Sequence, residues 1–326
     1  MHVIWGYRGG VVRFLKIKWV GVFVLLLVLS ANLSAKSSYS KLESKDDFRI
    51  SFGVANIKAH EYSWNGGHKL SELEWSIDSV PLISIFSSNV IFDSFMFDMM
   101  FYFSMGNGSG TLVDDDWQDM TNPSKHTDHS EHESYANTLR GVDLFLKSLP
   151  FEFADNLYAG IGVGYRRDYL KATARNGWAK HKCSGGYPNG CNFGVYDTDV
   201  IWYEQKFFVP YVGFYVFLYD VFGFDVDLNL KYSNMVYGED FDYHLPSKTF
   251  KTKSDNIVFY NFNSRVLYEF EKDFYFLIDL DYLKYNASLG EMHVVDYKNQ
   301  YSYVFKNASS FDNETFKTFF GILYRF

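Results

Sequence analysis

The stretch Ile257-Val258-Phe259-Tyr260-Asn261-Phe262-Asn263-Ser264-Arg265-Val266-Leu267-Tyr268-Glu269-Phe270 decides the fold. Its even positions are Val258, Tyr260, Phe262, Ser264, Val266, Tyr268 and Phe270. Its odd positions are Ile257, Phe259, Asn261, Asn263, Arg265, Leu267 and Glu269. Period two places the two sets on opposite faces of a β-strand, one greasy and aromatic, the other polar and charged. The alternation recurs in Phe222, Phe224, Val226, Leu228, Leu230 and Tyr232, set against Asp225, Asp227, Asn229 and Lys231. It returns at Phe274, Phe276, Ile278, Leu280, Tyr282 and at Phe48, Ile50, Phe52, Val54.

A water-soluble sandwich also alternates, with its apolar face inside. Composition argues for the reverse arrangement here. The 326 residues are 47% hydrophobic and 20% aromatic but only 21% charged, and 33 Phe and 26 Tyr exceed what a soluble core of this size needs. Aromatic residues crowd the strand ends while Asp, Lys, Arg and Asn hold the opposite face, the pattern of a barrel with lipid outside and a polar lumen. Only a closed sheet satisfies every backbone group in hydrocarbon without helices. Phe320, Ile322, Tyr324 and Phe326 line one face of the last strand, and a chain ending in Phe resembles the terminal signal of bacterial outer-membrane barrels.

Short turns are expected near Ser84–Asn89, Leu149–Asn156, Tyr219–Phe222 and Glu271–Asp273. Long polar segments are expected at about 60–69, 106–133, 177–199, 234–253 and 288–313. Their alternation predicts an all-β, ten-stranded antiparallel up-and-down transmembrane barrel with long extracellular loops, one domain over 36–326. Before it, Arg8, Arg13, Lys16 and Lys18 precede the apolar run Trp19–Leu29 and the small residues up to Ala35. That is the layout of a secretory signal peptide over residues 1–35; the run is too short to span as a helix. Its removal leaves 27 basic and 39 acidic groups, near −12, which argues against a nucleic-acid partner. In an exported chain, Cys183 and Cys191 read as a loop disulfide.

The long segments hold most of the residues that can do chemistry. In extended backbone Asp114 and Asp116 share a face, and so do Asp240, Asp242 and His244. Two such segments facing each other across a barrel mouth would hold a water, take its proton on His and stabilise the imidazolium with Asp. The phase of the strand raises a difficulty. Even positions of 222–232 point to lipid, so 240, 242 and 244 face inward only if a bulge between Ser233 and Gly238 shifts the register. Glu61 keeps the lumen phase of Arg49, Ser51 and Gly53.

These residues carry a family resemblance. Val113-Asp114-Asp115-Asp116-Trp117 with Asn122-Pro123, Thr127-Asp128-x-Ser130-x-His132, Gly164-Tyr165, Thr173-Ala174-Arg175-x-Gly177, Tyr203-x-Gln205-Lys206-Phe207, Pro210-Tyr211-x-Gly213, Lys231-Tyr232-Ser233 and Asp240-x-Asp242-x-His244 resemble the omptins, outer-membrane endoproteases of Gram-negative bacteria. They keep the family's order over almost the whole mature chain. The resemblance implies an extracellular-facing site without a catalytic metal or cofactor, in which Asp114 and Asp116 form an aspartate pair and Asp242 and His244 a dyad. It implies that Glu61 and Asp240 select Lys or Arg at the cleaved bond of polypeptide substrates. It also implies lipopolysaccharide as an activating lipid, with Lys206 at a phosphate-binding position. Tyr169 stands where the family has an arginine, and His126 replaces a tryptophan.

Other readings of the same residues exist. His126, His129 and His132 with Asp128 and Glu131 could form a zinc or copper site. Lumen cations could line a small pore, although a ten-stranded barrel is narrow enough for side chains to fill much of it. The same barrel could act as a non-proteolytic adhesin or invasin through its loops.

Overall fold

The computed structural model describes residues 46–91, 95–184 and 187–326; the expected signal peptide lies outside them. Among the described residues thirteen strands form one antiparallel sheet: β1 (Asp47–Asn65), β2 (His68–Ile91), β3 (Phe95–Ser104), β4 (Ser109–Asp116), β5 (Asp128–Ser148), β6 (Phe151–Ala154), β7 (Leu157–His181), β8 (Asn192–Val221), β9 (Phe224–His244), β10 (Lys248–Glu271), β11 (Phe274–Asn286), β12 (Gly290–Asp296) and β13 (Tyr301–Arg325). β3 and β4 successively fill the slot between β2 and β5, and β11 and β12 fill that between β10 and β13; β6 only extends a turn against β7. Ten staves result. β1 pairs with β13 from Asp47↔Arg325 to Ser63↔Ser309, which closes the ring of ten staves.

Side chains divide as the alternation requires. Phe48, Ile50, Phe52 and Val54 of β1, Tyr260, Phe262, Val266, Tyr268 and Phe270 of β10, Phe276 and Ile278 of β11, and Phe320 and Ile322 of β13 are exposed on the outside. Their inward neighbours are buried. In the membrane-spanning part the lumen is packed with ion pairs: Arg49 and Arg265 on Asp279, Arg265 on Asp227, Lys147 on Asp98, Lys231 on Asp143, Lys317 on Asp281, and Arg166 on Asp143, Asp168 and Asp281. Buried charges need such partners, because desolvation without them is prohibitive. Two voids lined by lumen residues measure about 30 and 10 Å³, space for a water or two and not for a conduction path. This filling runs against the pore reading. Nearer the mouth the interior turns apolar, with Ile57, Ile77 and Leu112 around a Trp75–Tyr203 stack at 4.9 Å.

Two sequence expectations about the connections are corrected. The first short turn does not lie at Ser84–Asn89; β2 continues to Ile91 and pairs with Phe95 across the reversal. Ser84, Ser87, Ser88 and Asn89 resemble turn chemistry, but Ser84 and Ser88 are lumen positions where small polar side chains fit. The segments at 60–69 and 234–253 are not loops but strands that continue past the membrane. They reverse at Gly66-Gly67 and at Leu245–Ser247. Both glycines have positive φ (57° and 86°), as a two-residue hairpin turn matching the strand twist demands. Above the bilayer both faces meet polar surroundings, so the alternation fades while the hydrogen-bond ladder does not.

Candidate active site

The required bulge exists. Ser233 pairs with Phe259, but Val236 pairs with Ile257, so β9 carries one extra residue there. Asn234 and Met235 both lie exposed, and the Met235 N–H donates to Ser233 Oγ at 3.1 Å. A compensating extra residue in β10, at Asn256 with φ 61°, follows between Ile257 and Ser254. Below this level odd positions of β9 face the lumen; above it Val236, Gly238, Asp240 and Asp242 do. The bulge thereby turns the acids of β9 into the mouth.

Asp242 is buried, and its Oδ2 lies 2.6 Å from His244 Nε2; about a third of the His244 side chain remains open (32%). Across the mouth, β4 directs Leu112, Asp114 and Asp116 inward and Asp115 outward. The two sides act on each other. Burial, the neighbouring Asp116 and the Asp242 charge push the Asp114 carboxyl up to about 8, against an opposing pull from His244. Asp116 is raised by burial, although bonds to Ser71 and Gln118 favour its anion. Burial disfavours the His244 imidazolium, yet Asp242, Asp114 and Asp116 together lift it to about 9. Such perturbation in a cleft is typical of groups that handle protons.

Beside the dyad is an acidic pocket. Glu61 faces inward from β1 at 3% exposure, and Asp240 from β9 at 0%. Burial above all holds both carboxyls well above the usual range, helped by Asp240 and Asp242 around Glu61 and by Asp242 beside Asp240. Glu61 Oε2 and both Asp240 oxygens are sealed from solvent and have no hydrogen bond of normal geometry. Asp240 is therefore not an exposed loop residue.

Tyr203 and Gln205, which the sequence marks only as family-like residues, belong to this pocket. Their strand partners are Asp242 and Asp240, both are fully buried, and Gln205 Nε2 donates to Tyr203 Oη at 2.7 Å. Their alternation on β8 under two facing acids was the available signal.

The other singled-out residues sort clearly. Cys183 and Cys191 form a disulfide. Lys206 lies on the outer wall, 3.0 Å from Glu204, with Nζ 5.6 Å from the Tyr169 ring, on which Arg140 also sits at 4.8 Å. Arg166 is committed to the lumen, whereas Arg167 lies outside over Phe208. The proposed trio of histidines is split: His126 and His129 converge on Asp115, but His132 Nδ1 is bound to the Asn176 carbonyl. Asp128 instead accepts from the Lys182 N–H at 2.9 Å.

A lipid-girdled closed barrel with a carboxylate–imidazole cleft at its mouth defines an outer-membrane barrel enzyme of the hydrolytic class. Comparison with known proteins gives the particular family. The omptin family model matches residues 44–326. The chain is 28% identical over 319 residues to a plasminogen activator of Yersinia pestis, covering 94% of this chain and 98% of that protein. It is 24% identical to protease 7 of Escherichia coli K12, covering 96% and 100%. The crystal structure of the outer membrane protease OmpT from Escherichia coli superposes with a TM-score of 0.80 at 24% identity, over 86% of this chain and 97% of that one. The chain belongs to the omptin family.

Proposed function

We infer that the protein is an outer-membrane endopeptidase that cuts polypeptides next to Lys or Arg with a water activated by His244. The observation that carries this is the Asp242–His244 contact of 2.6 Å facing Asp114 and Asp116 across the mouth. Because Asp242 holds Nε2, that nitrogen carries a proton, and in the deprotonated fraction of the ring, which grows as pH rises towards about 9, Nδ1 is the basic atom available to a water in the cleft. As Nδ1 takes the water proton, the Asp242 carboxylate stabilises the imidazolium. The carboxyl of Asp114, held partly protonated near neutrality, can donate to the oxyanion that develops on the scissile carbonyl. The proton on Nδ1 then passes to the leaving amine. Neither a covalent intermediate nor a metal is required by this sequence of steps.

Glu61 and Asp240 supply the basic selectivity. Two buried carboxyls cannot both ionise unless a cation enters between them, and a Lys ammonium or Arg guanidinium is that cation. On the outer wall, Arg140, Arg167 and Lys206 supply positive charge where the phosphates of lipopolysaccharide would lie, which supports that lipid as an activator. The test is a fluorogenic peptide with Arg-Arg at its centre, given to protein reconstituted with and without lipopolysaccharide. Cleavage at the basic bond that survives a chelator and is stimulated by the lipid is expected. Intact peptide with lipopolysaccharide present would leave an adhesin as the better reading.

A further inference from the structure

The outer side of the β4–β5 hairpin, opposite the face bearing Asp114 and Asp116, carries a second cluster. His126 Nε2 lies 2.7 Å and His129 Nδ1 2.6 Å from one oxygen, Oδ1, of Asp115. The three donor atoms all lie within 4.8 Å of one another. His126 Nε2 is sealed from solvent, and its approach to Asp115 lacks hydrogen-bond alignment, so it has no hydrogen-bond partner. A buried imidazole nitrogen left so is costly, and a cation held between the two rings and the carboxylate would satisfy it.

The surroundings fix both rings. Trp117 stacks on His126 at 5.1 Å, Tyr187 lies 5.0 Å from His126 and 4.9 Å from His129, and Trp178 lies 5.2 Å from His129. Tyr187 belongs to the loop closed by Cys183–Cys191, and that loop is tied to the hairpin. The Tyr187 N–H donates to the His126 carbonyl at 2.8 Å, and the Cys183 N–H to that of Thr127 at 3.1 Å. His129 Nε2 meets Glu131 Oε1 at 3.3 Å. An outer carboxylate that accepts a hydrogen bond from Nε2–H keeps the proton on that nitrogen and leaves Nδ1 as the lone-pair donor, the arrangement that orients metal-binding histidines.

We propose that Asp115, His126 and His129 bind a divalent transition ion of the zinc class. Two imidazoles and one carboxylate form a zinc donor set with a position left for water; calcium and magnesium call for more oxygen ligands. Bonds of about 2.0–2.1 Å put tetrahedral ligand atoms about 3.3 Å apart, so the rings need only a small outward rotation. The ion ties the 117–127 loop and the disulfide loop to the outside of the strand whose inner face holds the aspartate pair. It takes no part in hydrolysis, and the proposal stands independently of the peptidase reading.

The full chain, refolded in lipopolysaccharide-containing micelles and stripped with a chelator, is titrated with zinc chloride against a chromophoric competitor. Cobalt(II), whose visible absorption reports tetrahedral coordination, is titrated in parallel. One equivalent is expected to bind, with affinity falling at least about tenfold in His126→Gln and in His129→Gln, each folded by its gel mobility. A His132→Gln/His181→Gln control should bind as the parent does. Zinc should also slow amide exchange over 117–127 in the parent and not in His126→Gln. Absence of binding at micromolar zinc would overturn the proposal, as would unchanged binding in a His126→Gln/His129→Gln double variant. Equal loss in the His132→Gln/His181→Gln control would assign the ion elsewhere and overturn it too.

Discussion

Replacing Asp240 by Asn keeps the shape of the acidic pocket and removes one of its two charges. Because Asp240 is 0% exposed, solvent does not screen the loss. Removing one partner from a buried, hydrogen-bonded charge pair costs about 2–5 kcal/mol, or about 30- to 4,000-fold in kcat/KM at 1.4 kcal/mol per decade. Glu61 still faces the substrate cation, which favours the lower part of that range, about a hundredfold. The assay is a pair of fluorogenic peptides identical except for Arg or its neutral isostere citrulline before the cut. The parent should prefer Arg strongly, and Asp240→Asn should lose most of that preference by slowing only the Arg peptide. The pH dependence has a definite sign. Burial first, then the neighbouring acids (Asp240 and Asp242 for Glu61, Asp242 for Asp240), raises both carboxyls, so the pocket is protonated at low pH and gains its charge as pH rises. The Arg:citrulline ratio should therefore climb with pH in the parent and respond less in the variant. A ratio that Asp240→Asn leaves within about threefold of the parent would show that the pair does not read the substrate charge.

Asp242→Ala and His244→Ala should each lower kcat by about 10²-fold or more, and a change under about threefold would refute the dyad. The acid limb of the parent pH–rate profile should lie above the ordinary histidine value of about 6.5, because neighbouring carboxylates keep His244 protonated up to about 9. Asp242→Asn should move that limb down, and since the groups are coupled the apparent value belongs to the set. Asp115→Asn, on the outer face of β4, should leave peptide hydrolysis nearly intact while Asp114→Ala abolishes it; equal losses would mean the strand faces are misassigned. In the lumen, Lys317→Met leaves Asp281 with Arg166 as its remaining cation among the described residues, beside the Asn261 amide, and should cost about 3 kcal/mol, the lower end for a broken buried pair, read as a lower urea midpoint on gels that separate folded from unfolded barrel.

The barrel was legible because lipid outside and ion pairs inside impose opposite chemistry on alternate residues, as 257–270 displays. The bulge between Ser233 and Val236 was legible indirectly, from the misfit between the phase of 222–232 and that of Asp240, Asp242 and His244. The turn near Ser84 was misplaced because small polar residues serve equally in turns and in a crowded lumen. The extracellular hairpins were taken for loops because water on both sides removes the hydrophobic signal while leaving the backbone pairing. The partner of His126 and His129 was missed for a related reason. Asp115 precedes them on a different strand, and only the β4–β5 register, with Asp115 opposite His129, brings them together. Tyr203 and Gln205 gained meaning only once the acids they underlie were known to point inward.

Closure has a consequence for when the protein becomes dangerous to its neighbours. Glu61 lies on the first stave and Phe311, its partner, on the last. Asp114 and Asp242 sit on staves that curvature alone brings face to face. In a sheet not yet joined at its seam these groups are strung along a ribbon, and no cleft exists. On the proposed mechanism, peptide hydrolysis during refolding should never precede the gel-mobility change that marks seam formation. Topology itself acts as the safety catch.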